Sequence, residues 1–311
     1  MKLTSLTLGL AVAAGLAGAA SAKDIENVGI SVGSLGNPFF IATIKGIEDK
    51  TKALDPKAKV NAGSSDYDLN KQFTQIDNFI AAGSKIIMLN AVDPVAIEPS
   101  VKRAQAAGVV VAAFDVAAAG ADVTVMTDNV KAGELACQYL VDQLKGKGDV
   151  IIVNGPQVSS IVDRVKGCKS AFAKAPGIKI LSEDQNAGGS RDGGFAVTQS
   201  LLTRFPKVDG IFAVNDPTAI GTNLAAKQLG RKEFIITGVD GAPDIEAELK
   251  SGTSLIKASA SQDSYTMAGQ SLELAAGILN GKKPEQKVIL LAPKLITSEN
   301  LGEYKGWTAV R

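Results

Sequence analysis

The sequence predicts an α/β fold of two doubly wound, Rossmann-like lobes with parallel sheets. Three observations point to it. Short Val/Ile-rich runs alternate with amphipathic segments from Val28 to about Leu291, the order expected of strands joined by crossover helices. Ten of these runs read as strands, more than one ordinary open sheet holds. A split near Asp128 leaves five on each side, hence two domains of similar size.

The first twenty-two residues stand outside this pattern. Lys2 gives a positive start, 3–16 is a short apolar run, and Ala20-Ser21-Ala22 supplies the small residues that a signal peptidase needs. Cleavage is expected before Lys23, with an uncleaved anchor as the alternative. The first lobe then takes strands at 28–32, 59–62, 85–89, 109–114 and 123–126. The second takes 150–153, 178–181, 210–214, 234–239 and 254–258. The longest later uncharged apolar run, between Arg103 and Asp115, is too short to span a bilayer. The mature chain is therefore expected to be soluble and exported to the periplasm.

A turn device recurs between strand and helix. Gly36-Asn37-Pro38, Val92-Asp93-Pro94, Asn215-Asp216-Pro217 and Gly241-Ala242-Pro243 each follow a strand and precede a helix-period segment. Proline is tolerated at the first helical position, where its missing N–H loses no bond, and the Asn or Asp before it in three of the four can cap the free amides. These turns mark carboxyl ends of strands, the edge that carries ligands in doubly wound sheets. A capped helix and nothing more is the plain reading of any one of them.

Cys137 and Cys168 both lie in segments of helical period, so a disulfide between neighbouring helices is expected in an oxidising compartment. Two small buried thiols are the alternative.

Composition excludes much chemistry. The 311 residues include no histidine, which removes Ser-His-Asp and Cys-His nucleophile systems and every metal site that needs imidazole. A net charge of +1 leaves no bulk attraction for nucleic acid or an anionic membrane. The glycines of 29–36 do not have the dinucleotide spacing, Lys145-Gly146-Lys147-Gly148 is no phosphate loop, and the two cysteines have no C-x-x-C spacing. No catalytic residue, metal or cofactor is expected. What stands out is Asn37-Pro38-Phe39-Phe40, adjacent aromatics at a strand end in a chain only 5% aromatic. Helical neighbours point about 100° apart, so both rings are not expected to share one core face, and an aromatic there offers a flat apolar surface to the C–H face of a sugar.

Together with the segment from Val28 to Phe40, the segments Lys85-Ile86-Ile87-Met88-Leu89-Asn90, Phe114-Asp115, Thr127-Asp128-Asn129, Asp163-Arg164-Val165-Lys166-Gly167, Phe212-Ala213-Val214-Asn215-Asp216 and Thr237-Gly238-Val239-Asp240-Gly241 resemble, in colinear order, the type I periplasmic sugar-binding proteins of the ribose-binding group. The resemblance implies an extracytoplasmic, non-enzymatic receptor of an ATP-driven (ABC-type) importer. Its two lobes would be joined by a three-strand hinge near Thr127, Gln262 and Leu291 that closes on a sugar. It divides the chain into a first lobe of 23–126 plus 263–291 and a second of 127–262 plus 292–311. It also implies a ligand set of Asn37, Phe39, Phe40, Asn90, Asp115, Arg164, Asn215, Asp240 and Gln262. The chemistry of that set is coherent: carboxylates accept hydroxyl protons, the guanidinium fork donates, and the amides do both.

Departures from the ribose pattern are Val116 in place of an Arg, Gly189 and Val239 in place of second-lobe aromatics, and Gly33 in place of a Ser. They predict a roomier pocket and leave open another pentose, a hexose, an inositol or a linear sugar alcohol. The partners expected are a small sugar or sugar alcohol and an inner-membrane permease, with the chain a monomer. A sensor or chemotaxis partner is the alternative. A repressor on the same fold would need a DNA-binding segment where the signal peptide stands.

Overall fold

The computed structural model describes residues 24–307. The signal peptide read at residues 1–22 lies outside the described residues.

The described residues form two sheets of six strands each. In the first, β1 (Asn27–Val32), β2 (Lys59–Ser64), β3 (Ile86–Leu89), β4 (Val110–Phe114) and β5 (Val123–Thr127) run parallel in the order β2-β1-β3-β4-β5. In the second, β6 (Lys147–Val153), β7 (Gly177–Ser182), β8 (Gly210–Ala213), β9 (Ile235–Asp240) and β10 (Ile256–Ser261) repeat it as β7-β6-β8-β9-β10. All ten strands expected from the sequence are present. The order reverses between β1 and β3, and again between β6 and β8, which opens a crevice at the carboxyl ends of each sheet.

The structure adds β11 (Val288–Leu291), parallel to β5, and β12 (Lys294–Thr297), antiparallel to β10. Both are four residues long and edge-exposed, so neither carries the buried apolar run that identifies the others. The chain crosses between the sheets three times: after β5, after β10, and between β11 and β12. Two bonds tie the crossings, Asp128 N–H to the Leu291 carbonyl and Ser261 Oγ to the Lys294 carbonyl at 2.8 Å.

The inner strands are buried on both faces, which is why they read as continuous apolar runs. Ile30, Ile86, Met88 and Phe114 face α1 (Pro38–Leu54) and α9 (Ser264–Leu279), while Ile87 and Leu89 face the other way. In the second lobe Ile151, Ile211 and Ile236 form one core, and Ile152 and Phe212 pack with α4 (Asn129–Gln143) and α5 (Ser159–Ala173) in another that continues into the first lobe.

Helices α4 and α5 touch backbone to backbone. A Cβ on Gly133 would stand 1.9 Å from the Arg164 carbonyl oxygen, and one on Gly167 1.9 Å from that of Val130. Beside this crossing Cys137 and Cys168 form a disulfide, their Cα atoms 5.0 Å apart.

Candidate functional site

The turn after β1 shows how the site is assembled. Asn37 caps α1 by accepting from Phe39 N–H at 2.9 Å with Oδ1, Pro38 follows at the first helical position, and the carboxamide nitrogen is left for other work. Phe39 and Phe40 come next, each 3% exposed, with rings edge to face at 5.5 Å. Both belong to the first-lobe core and both line the cavity, so core packing and ligand facing are not alternatives for them.

All nine residues of the expected ligand set line one cavity between the lobes. Its volume is about 30 Å³. It abuts a wider cleft of about 380 Å³ that opens outward between the turn 34–38 and the segment 188–192.

Five of the nine form a polar floor that holds three charged groups. Arg164, buried on α5, donates from Nη1 to the Val214 carbonyl at 3.0 Å and to Asp240 Oδ1 at 3.3 Å. Gln262 Nε2 donates to the same Asp240 oxygen at 2.7 Å. Opposite them, Asn90 Nδ2 donates to Asp115 Oδ2 at 2.8 Å. Asp115 Oδ1 and Gln262 Oε1 are buried and have no hydrogen-bond partner among the described residues. Such orphans are costly, so a site that keeps two is built to meet donors from elsewhere.

Backbone strain aims the two carboxylates. Asp115 has φ +66° and Asp240 φ +136°, regions that non-glycine residues enter at a cost and that cluster at ligand sites. Burial pushes the Asp115 carboxyl up to about 6, with Arg164 opposing and Asp240 reinforcing the shift. Burial also raises Asp240, against the pull of Arg164.

Asn215 is less free than expected. It caps α7 (Asp216–Gln228) through Oδ1, accepting from Thr218 N–H at 3.1 Å, and its Nδ2 donates to the Gly189 carbonyl at 2.9 Å. The cap is therefore Asn215, and Asp216 lies inside the first turn. Asp216 is buried and accepts from Ser259 Oγ and from Ala242 N–H, both at 2.7 Å, which fastens the turn that follows Asp240. Burial and the nearby Asp240 charge raise its pKa well above the ordinary value.

The structure also brings in residues that sequence reading missed. Asn129, at the first crossing, accepts from Arg164 Nε at 2.9 Å and holds its own Nδ2 on the Thr127 carbonyl, so it sets the guanidinium plane. Gln72, buried on α2 (Leu69–Ala81), bonds Ser31 Oγ, the Asn90 carbonyl and Val92 N–H, locking the ends of β1 and β3 together. Trp307 packs on Phe39 at 5.8 Å and donates to the Gln262 carbonyl at 3.1 Å. Tyr67, Pro156, Val158 and Ile161 complete the apolar lining. Tyr67 alone had a visible signal, since it too is an aromatic just past a strand end.

The positions that depart from the ribose pattern are filled or walled by neighbours in this structure. Val116 and Val239 are packed into the core, Pro156, Val158 and Ile161 form an aliphatic second-lobe wall, and the Tyr67 ring lies against Gly33.

Residues 28–283 match the family described as periplasmic binding protein domain. The chain is 32% identical to the ribose import binding protein of Bacillus subtilis over 275 residues, covering 88% of this chain and 87% of the relative. It is 29% identical to a xylitol-binding protein of Mycolicibacterium smegmatis, covering 94% of this chain and 83% of that one. A solved Caulobacter myo-inositol binding protein bound to myo-inositol superposes with a TM-score of 0.82 at 28% identity, covering 89% and 95% of the two chains.

Proposed function

Because the chain belongs to the periplasmic binding protein domain family, we propose that it is a non-enzymatic periplasmic receptor that binds a monosaccharide or sugar alcohol between its lobes and presents it to an ABC-type permease. The observation that carries this reading is the cavity itself. Two buried unpartnered acceptors, Asp115 Oδ1 and Gln262 Oε1, sit with a buried guanidinium and two aromatic rings, the set that a polyhydroxylated ring or chain satisfies. In this reading residues 1–22 direct export and the mature chain acts as a monomer.

The nine residues act from both sides. Asn37, Phe39, Phe40, Asn90 and Asp115 belong to the first lobe, Arg164, Asn215 and Asp240 to the second, and Gln262 to a crossing. A ligand that bonds both lobes favours the closed arrangement over the open one, and only that difference moves the equilibrium. Taking the population from mostly open to mostly closed needs about 5.5 kcal/mol of preference, within reach of a micromolar ligand at about −8.2 kcal/mol. In this reading the lobes part at the three crossings to admit the ligand and close again on it.

A thermal-shift screen of the mature chain against pentoses, hexoses, inositols and alditols tests the reading. At least one of them is expected to raise Tm by several degrees, and a panel without effect would contradict it. Binding should also weaken in acid. Ligand hydroxyls donate to an ionised Asp115, so the bound state favours the deprotonated carboxyl. Below about pH 6 the free protein must release that proton to bind, and Kd is expected to rise by up to about tenfold per pH unit. Calorimetric titrations between pH 5 and 8 check this; a flat profile would remove Asp115 from the ligand shell.

A further inference from the structure

Tyr67 stands where the cavity meets the outer cleft, and lines both. Asn37 and Gly189 do so as well, but Tyr67 is the large side chain among the three. We propose that Tyr67 is a specificity-determining residue, a partition that ends the binding cavity on its outer side and selects the cognate sugar or sugar alcohol against its homologue one carbon longer. This rests on the sugar-receptor reading above and names the feature that limits its substrate class.

Four observations carry it. The ring is seated on Gly33: a Cβ there would lie 2.5 Å from Tyr67 Cε1, so glycine at 33 and tyrosine at 67 fit only together. The loop spends backbone strain on this placement, with Asp66 at φ +52° and Tyr67 at φ +57°, pinned by Tyr67 N–H donating to the Gly33 carbonyl at 3.1 Å. The ring packs against both hydrophobic clusters that border the cleft, so it is held and not merely draped across it. Its hydroxyl has no protein partner among the described residues. Burial, together with the Asp115 and Asp240 charges, raises its pKa, so it remains a donor throughout the working range.

The partition explains the contrast in size between the two spaces. The inner cavity of about 30 Å³ and the outer cleft of about 380 Å³ share Asn37, Tyr67 and Gly189 as lining, and removing the phenol would widen the passage between them. A longer ligand would gain somewhere to place its extra hydroxymethyl group, while the cognate ligand would lose a wall and a donor.

The test is calorimetry on the mature wild-type chain and on Tyr67→Ala, Tyr67→Phe, Gly33→Ala and the Gly33→Ala/Tyr67→Ala double variant, with the pentoses, hexoses, pentitols, hexitols and inositols as probes. Tyr67→Ala is expected to weaken the best wild-type ligand about tenfold or more and to narrow its preference over the one-carbon homologue by a similar factor. Tyr67→Phe, which keeps the wall and loses only a neutral hydrogen bond, should weaken binding a few-fold with the preference intact. Gly33→Ala should lose affinity in the wild-type background and lose little more once Tyr67 is gone, the signature of two residues that act as a unit. If Tyr67→Ala fails to fold by circular dichroism, Tyr67→Leu replaces it with the same expected result. Wild-type binding with unchanged affinity and unchanged preference in the Tyr67→Ala or Tyr67→Leu variant would overturn the partition and leave the receptor reading standing. No binding of any probe by the wild-type chain would overturn both.

Discussion

Arg164→Ala is expected to abolish useful binding and to destabilise the second lobe at neutral pH. Arg164 is the cation among the residues that line the cavity, and its side chain serves Asn129, Val214 and Asp240 at once. Truncation removes a charge-assisted donor from the ligand, worth about 1.5–3 kcal/mol, or roughly tenfold to a hundredfold in Kd. It also leaves the buried Asp240 carboxylate unopposed, and breaking one partner of a buried pair costs about 3–5 kcal/mol. The loss should shrink in acid, because Asp240 already has a raised pKa and protonates more readily without the guanidinium. Denaturant melts at pH 8 and pH 5 check the stability half, and calorimetry checks the binding half. Unchanged affinity would strike Arg164 from the site. Arg164→Lys is expected to restore charge but not binding, since a single ammonium cannot face Asn129, Val214 and Asp240 together.

Asp115→Asn is expected to raise the stability of the ligand-free protein while it weakens binding, an opposition that few surface changes produce. The folded carboxyl titrates at about 6, above an unfolded value of about 3.9. A raised folded pKa means that the folded state binds the proton more tightly. The penalty for ionisation is therefore absent below about pH 4, grows through the interval up to about 6, and is complete above it. At pH 7.5 it amounts to about 2–3 kcal/mol, less whatever the new amide loses for want of an acceptor. Asparagine is also the side chain best tolerated at positive φ, and φ here is +66°. Its oxygen can keep the bond from Asn90. A Tm gain of a few degrees at pH 7.5 that vanishes near pH 4, with binding weakened about tenfold or more, is the expected outcome. A variant less stable than wild type at every pH would show that the buried charge is not strained.

The parts of this molecule legible in its sequence share a physical reason. Strands buried on both faces, such as Ile86–Leu89 and Val110–Phe114, write themselves as unbroken apolar runs, and the Asn-Pro turn at 37–38 announces the helix that it caps. Strands β11 and β12 left no such mark, because their pairing with β5 and β10 is decided by the crossings and not by burial. Polar residues at strand ends were visible one at a time, but not their division of labour. Asn215 spends both amide atoms on the protein, while Gln262 keeps its oxygen unpartnered, and only the folded geometry separates them. Gln72 acts through other residues, so nothing in its local sequence sets it apart from an ordinary helix-face polar group, and Asn129, although it stands in a segment that carries the resemblance, acts through Arg164 and offers no ligand chemistry of its own to read. Gly33 is the sharpest case. A missing side chain suggested open space, whereas the space is taken by a ring thirty-four positions along the chain.

The central claim is that a sugar or sugar alcohol binds in the cavity shared by the two lobes. A crystal structure of the mature chain grown with the ligand found by the thermal-shift screen tests it most directly. The expected density lies between the Phe39 and Phe40 rings and the Arg164 and Asp240 floor, with ligand hydroxyls within hydrogen-bond distance of Asp115 Oδ1 and Gln262 Oε1, so that neither oxygen is left unpartnered. Density confined to one lobe, or placed in the pocket behind the hinge lined by Asp263, Lys294 and Tyr304, would contradict it.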